Sequence, residues 1–178
     1  GQFPHLADSH DAFSSDLYYP LAFGYACVGI IKDTGKRADK SLREKLVFGF
    51  QPHASAFICN PSSLIFAPVS LPAEACSFLP NMETAVNLVQ DGAPILGERV
   101  LILGQGVVGL LVASLLKEFP LETLVTADFY ELRRNALDDT RYKLQSTRCA
   151  SFDPGAEDFR ASLSGCAQEG FDLVYELS

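Results

Sequence analysis

Glu98-Arg-Val-Leu-Ile-Leu-Gly104-Gln-Gly106-Val-Val-Gly109 is the stretch that decides how this chain folds. Its first half is a continuous apolar run, the pattern of a central parallel strand buried on both faces. Its second half is a Gly-x-Gly-x-x-Gly, and the residues from about Val107 to Glu118 read as a helix ended by Pro120. The glycine signature is weak alone. Placed after a buried strand and at the opening of a helix, it predicts a phosphate-binding turn. Gly104 permits the tight turn, Gly106 lets a pyrophosphate approach the backbone, and Gly109 lets helix and strand pack closely. Gln105 lies within that turn. The helix start at Val107 and Val108 offers free N–H groups and a positive dipole end to the phosphates. Asp128 ends the next strand, 128 − 109 = 19 residues after the last glycine. That is where a carboxylate accepts hydrogen bonds from an adenosine ribose. The bland alternative is a glycine turn without a ligand, followed by an aspartate that caps a turn.

Working outward, strands and helices alternate. Leu121–Asp128 reads as a strand, Leu132–Gln145 as a helix and Cys149–Phe152 as a short strand. Ala156–Gln168 reads as a helix and Phe171–Leu177 as a strand. This alternation predicts an α/β fold with a parallel sheet and helical crossovers. Upstream, Pro72-Ala-Glu-Ala opens a helix, with proline in its first turn and an acid near the positive end. A second helix runs from about Met82 to Asp91 and stops at Gly92.

Before residue 71 the composition differs. Leu21–Ile31 is an apolar strand interrupted by Gly24 and Gly29, and residues 32–45 are a charged turn or insertion. Leu46–Phe50, Ala56–Asn60 and Ser63–Pro68 are short β-rich runs with proline and serine punctuation, as in a small barrel. Residues 1–19 read as a loop. Its cluster of His5, Asp8, His10 and Asp11 is better read as solvated than as a metal site, because nothing nearby supplies supporting hydrogen bonds. The expected domains are therefore 1–70 and 71–178.

Composition removes several classes of function. With 14 Lys and Arg against 22 Asp and Glu, the net charge is −8, which disfavours nucleic acid. No apolar stretch reaches the roughly 18–20 residues that span a bilayer. The five cysteines, Cys27, Cys59, Cys76, Cys149 and Cys166, form no Cys-x-x-Cys pair and suit no compact zinc site. They read as reduced, small core thiols in a cytoplasmic protein. The chain starts at Gly1 without methionine and stops at Ser178 in a strand-like run, so it is expected to be a fragment.

Asp128 also bears on which dinucleotide binds. A carboxylate repels a 2′-phosphate and favours NAD over NADP, while Arg133 and Arg134 follow closely enough to compensate. A methyltransferase-like nucleotide domain competes with this reading. Such sites usually carry an acid just before the glycine turn, and Leu103 stands there.

The order of these features resembles the medium-chain dehydrogenases/reductases, the alcohol dehydrogenase superfamily. A small β-rich region and an apolar helix precede Gly97-Glu-Arg-Val-Leu-Ile-Leu-Gly104 and its glycine turn. The resemblance covers nearly the whole chain from about Tyr19. It implies a partial GroES-like catalytic domain over 1–70, then a Rossmann-type nucleotide domain over 71–178, truncated near its fourth strand. It also implies Val108 near the nicotinamide and Arg133 near the adenosine ribose. Zinc-dependent members carry Gly-His-Glu followed two residues later by glycine. This chain has Gly24-Tyr25-Ala26-Cys27-Val28-Gly29, and Pro80 falls where another zinc-site residue is expected. The four-cysteine structural zinc lobe is absent between Phe48 and Phe57. Phe23–Gly29, Gln51-Pro-His53 and Asn81–Asn87 resemble members labelled zinc-type alcohol dehydrogenase-like. The resemblance thus implies a zinc-free branch, a small-molecule substrate and room for a homo-oligomer of the full-length protein.

Without zinc, the protein must orient the substrate and stabilise charge developing on its oxygen. The candidate donors are Tyr25, His53 and a water held by Glu83. Tyr25 sits where the metal ligand would be; its plain reading is an aromatic packed in a barrel. His53 lies in a turn after a strand, and histidine is a common proton donor; its plain reading is an exposed loop histidine. Glu83 and Thr84 start the helix that lies beside the nicotinamide in the family. The plain reading of Glu83 is a first-turn acid favoured by the helix dipole. The expected function is hydride transfer between NAD(P) and a small alcohol, carbonyl or activated alkene. A dinucleotide-binding protein without turnover is the alternative from another class.

Overall fold

The computed structural model describes residues 23–137 and 148–178. The chain divides into two compact units between Phe78 and Leu79. That division falls eight residues after the expected boundary at 70/71. The short helix α1 (Ala73–Cys76) packs with strand β1 (Cys27–Ile30) in the first unit, although in composition it is closer to the second.

In the first unit β1, β2 (Leu46–Gly49) and β3 (Leu64–Phe66) form an antiparallel sheet in that order. The register pairs Val28 with Phe48 and Phe48 with Ile65. Val47 and Phe48 are buried. The charged 32–45 segment returns through a turn at Lys40–Leu42, where the Asp39 carboxylate accepts the Ser41 N–H at 2.8 Å. Ala56–Asn60, expected as a strand, joins no ladder. Asn60 instead caps a turn at Pro61–Ser63, accepting the Ser62 N–H at 3.1 Å. A local side-chain acceptor has won over sheet pairing.

The second unit is built on a parallel sheet. Its strands are β4 (Arg99–Leu103), β5 (Thr123–Ala127), β6 (Arg148–Phe152) and β7 (Leu173–Glu176), in the order β6-β5-β4-β7. Every pairing is parallel, as the alternating pattern predicts. Val100, Ile102 and Leu124 of the sheet are fully buried with Val112 and Leu116 of helix α3 (Val107–Leu116). Each such side chain contributes roughly 1.5–3 kcal/mol relative to exposure. Helix α2 (Leu79–Gly92) packs on α3 through Ala85, Leu88 and Val89. It starts three residues earlier than expected, because Pro80 is tolerated in a first turn where its missing N–H costs nothing.

The helix expected over Leu132–Gln145 is seen as α4 (Glu131–Arg134) followed by a tight turn at Asn135–Leu137. The rest of that expected helix, 138–145, lies outside the described residues, as does the His5–Asp11 cluster. Helix α5 (Phe159–Cys166) is shorter than the expected Ala156–Gln168. Among the described residues, no helix is long and apolar enough to cross a membrane.

Candidate functional site

The glycine turn joins β4 to α3 as its spacing predicts, and its three glycines meet three different surroundings. Gly104 has φ +96°, a region open to glycine. A Cβ there would also lie 2.7 Å from the carbonyl carbon and oxygen of Leu177, just past β7. Gly109 is buried in the first turn of α3, where a Cβ would overlap the Gly104 carbonyl oxygen. Gly106 is the N-cap of α3 with φ −68°, and nothing lies within 4 Å of a Cβ placed on it. No side chain caps α3. Its first N–H groups, at Val107 and Val108, belong to the set that has no intrahelical acceptor. Uncapped donors beside open space are what a pyrophosphate needs, so these residues fit a dinucleotide. Val107 is the outward member of the pair, whereas Val108 is partly buried and packs against the core.

The turn is tied to the end of β5. The Gly104 N–H donates to the Ala127 carbonyl at 2.8 Å. The Gln105 N–H donates to Asp128 Oδ2, also at 2.8 Å. The Gln105 side chain is fully buried, and its Nε2 donates to the Gly104 carbonyl at 3.2 Å. Asp128 Oδ1 accepts the Tyr130 N–H at 2.8 Å, and Arg133 Nη1 lies 3.5 Å from Oδ2. Burial pushes the Asp128 carboxyl up. The N–H groups of Tyr130 and Gln105, with the Arg133 guanidinium, outweigh that and hold it below the usual carboxylate range. The expected carboxylate facing a ribose is thus one whose side chain is 5% exposed and already engaged by two backbone donors. Arg133 is half-exposed and lies over the Tyr130 ring at 4.7 Å. Arg134 is engaged elsewhere: it donates to the carbonyls of Asp128 and Phe129 and pairs with Asp153 at 3.3 Å.

Glu83 and Thr84 lie in the second turn of α2, not at its start, because the helix begins at Leu79. The dipole reading of Glu83 therefore fails, since that effect fades beyond the first turn. Glu83 is exposed. The Thr84 hydroxyl donates back to the Pro80 carbonyl at 3.0 Å, which occupies its proton. In the first unit Tyr25 is 61% exposed, so it is not the packed barrel aromatic of its plain reading. His53 is also exposed but held. Its N–H donates to the Phe23 carbonyl at 2.8 Å, and its ring stands edge-on to Phe23. The imidazole covers Gly24, at φ +81°, so closely that a Cβ there would overlap it. The neighbouring Cys27 thiol lies 3.3 Å from the Pro52 carbonyl. The fold thus brings His53 against the backbone just before Tyr25, a juxtaposition that 28 residues of separation conceal. A broad groove of about 1460 Å³ in this unit includes Cys27 and His53 in its lining. Among the described residues no three His, Cys, Asp or Glu side chains are grouped to hold a metal.

Sequence reasoning missed the two-sided role of Asp128. The signal was available only in part: an acid at the end of β5 is visible, but not that a backbone N–H 23 residues earlier faces it.

No protein-family model matches the chain, and no curated protein does. Solved structures do. The chain is similar to an Escherichia coli short chain alcohol dehydrogenase complexed with NADH, at 13% identity and a TM-score of 0.63. That alignment covers 85% of this chain and 52% of the other. It is similar to mycobacterial Rv1454c complexed with NADPH, at 19% identity and a TM-score of 0.62, covering 88% and 51%. It is also similar to the human synaptic vesicle membrane protein VAT-1 homolog-like protein, at 23% identity and a TM-score of 0.61, covering 88% and 49%. The chain spans about half the length of these structures. The likeness shows the fold: an antiparallel sheet, followed by a parallel sheet with a glycine turn, is common to this chain and these structures.

Proposed function

We propose that this chain is part of an NAD(P)-dependent oxidoreductase that moves a hydride between a nicotinamide and a small alcohol, carbonyl or activated alkene. The observation that carries the reading is the open, uncapped start of α3 at Gly106, tied through Gln105 to the Asp128 carboxylate. The nicotinamide, when bound, supplies or accepts the hydride. Gly106 and the first turn of α3 hold the pyrophosphate, and Asp128 and Arg133 stand at the adenosine ribose. Asp128 favours NAD: it is an anion by its hydrogen bonds, and Arg134 is already engaged. Tyr25, His53 and Glu83 remain the candidate proton donors. Tyr25 is exposed, and His53 is held against the adjoining backbone. We propose chemistry without catalytic zinc because Tyr25 stands where the resemblance expects a metal ligand. We also propose a small-molecule substrate and a cytoplasmic setting.

Fluorescence titration of the full-length protein with NADH, NADPH and S-adenosylmethionine tests the reading. Binding of a reduced nicotinamide nucleotide, and its oxidation by at least one member of a carbonyl panel, is expected. Binding of S-adenosylmethionine alone would point to a methyltransferase-like domain. Nucleotide binding without turnover across the panel would favour a binding protein.

A further inference from the structure

We propose that Asp128 is a positioning residue for the Gly104–Gly106 turn, acting on a nucleotide's phosphates through the backbone in addition to any contact with its ribose. This rests on the proposed dinucleotide binding. Two consecutive N–H groups of the turn point back to the end of β5: Gly104 to the Ala127 carbonyl and Gln105 to the Asp128 carboxylate, both at 2.8 Å. The Gly104 carbonyl is held from its other side by Gln105 Nε2. With those peptides fixed, the turn leads into Gly106 and the first turn of α3, where no side chain caps the helix and nothing lies within 4 Å of a Cβ on Gly106. The carboxylate itself is nearly closed off, its side chain 5% exposed, and Oδ1 is held by the Tyr130 N–H. A carboxylate serving only a ribose would not need to bridge two backbone turns. Charge-assisted bonds of this kind are shorter and stronger than neutral ones. Removing the charge should loosen the Gln105 peptide even where no ribose hydroxyl is present.

The test uses full-length protein and two probes, ADP and 2′,3′-dideoxy-ADP, which lacks the ribose hydroxyls. Calorimetry compares the parent with Asp128→Ser and Asp128→Asn. The expected result is a tenfold or greater loss for Asp128→Ser with both probes. Asp128→Asn, which keeps an acceptor of the same size, should recover part of the loss with both. Amide exchange at Gln105 and Gly106 should rise in Asp128→Ser relative to the rest of α3, a local change that general destabilisation would not produce. A loss confined to ADP and absent with dideoxy-ADP, in either variant, would show a ribose contact alone and overturn the inference. If Asp128→Ser does not fold, the same comparison on Asp128→Asn decides. A parent that binds neither ADP nor NADH refutes the dinucleotide reading itself, before any substitution is made.

Discussion

Substituting alanine in turn at Gly104, Gly106 and Gly109 should separate folding from binding, because each methyl meets a different environment. At Gly104 the backbone is held at φ +96°. Forcing an L-residue there costs of order 1–3 kcal/mol. The added carbon would also lie 2.7 Å from the Leu177 carbonyl and 2.8 Å from the Ser178 nitrogen. These are backbone atoms that cannot swing aside, and overpacking of this kind costs about 1–3 kcal/mol more. The sum is a large share of the roughly 5–15 kcal/mol that holds a typical domain together. At Gly109 the methyl overlaps the Gly104 carbonyl oxygen and stands 3.0 Å from its carbon. Alanine gains about 1 kcal/mol of helix propensity there, which offsets part of an overlap that pushes α3 off β4. A net loss of about 1–2 kcal/mol is expected. At Gly106 no atom lies within 4 Å of the methyl and φ is −68°. Alanine is a poorer N-cap than glycine by several tenths of a kcal/mol. It also restricts the unfolded chain by about 0.4–1 kcal/mol in compensation. Gly106→Ala should therefore be as stable as the parent to within about 0.5 kcal/mol, yet its methyl fills the proposed phosphate space. NADH affinity should fall at least tenfold, about 1.4 kcal/mol. Urea denaturation and NADH fluorescence titration on the full-length protein measure both quantities. A Gly106→Ala variant that binds NADH like the parent, or a Gly109→Ala variant as stable as the parent, would refute the reasoning.

Other expectations concern neighbouring groups. NADH should bind more tightly than NADPH by roughly tenfold, about 1.4 kcal/mol, and Asp128→Ser should narrow the gap; equal affinities in the parent would mean that Arg133 dominates. The Tyr175 hydroxyl is buried without a partner among the described residues, and a Cβ at Gly92 would overlap it. Tyr175→Phe should leave thermal stability unchanged or raised, whereas Gly92→Ala should cost about 1–3 kcal/mol and be partly relieved in the double variant; a strongly destabilised Tyr175→Phe would sink this account. Hydrogen bonds from the Arg99 side chain and N–H hold the Asp172 carboxyl down at about 2. Because that pKa is lowered by folding, the pair's contribution is present above the usual carboxylate range and is lost as pH falls through about 2. Asp172→Asn should flatten the acid limb of the stability profile, and an unchanged limb would contradict this. Elemental analysis of active full-length protein should find no zinc needed for turnover; loss of activity on chelation with recovery on adding zinc would overturn the zinc-free proposal.

The alternation of strand and helix after Leu71 was legible because both periods are local. An apolar run such as Val100–Leu103 buries both faces of a strand, and Gly104-x-Gly106-x-x-Gly109 announces the turn after it. The α/β class and the parallel sheet can be read from those residues alone. Where one segment's fate depended on a distant partner, the sequence was mute. Ala56–Asn60 has strand-like composition, but no strand pairs with it, and Asn60 caps a turn instead. Phe78 rather than residue 70 closes the first unit, because α1 packs with β1, more than 40 residues away. His53 and Gly24 meet only through the fold. The site shows the same division. Three glycines and an acid could be read as a phosphate turn and a ribose acceptor from spacing. That Gly104 must also clear Leu177, and that Asp128 reaches back to the Gln105 N–H, depends on β4 lying between β5 and β7. Spacing sets which chemistry can gather at the end of a strand; the lateral order of strands sets which backbone groups that chemistry touches.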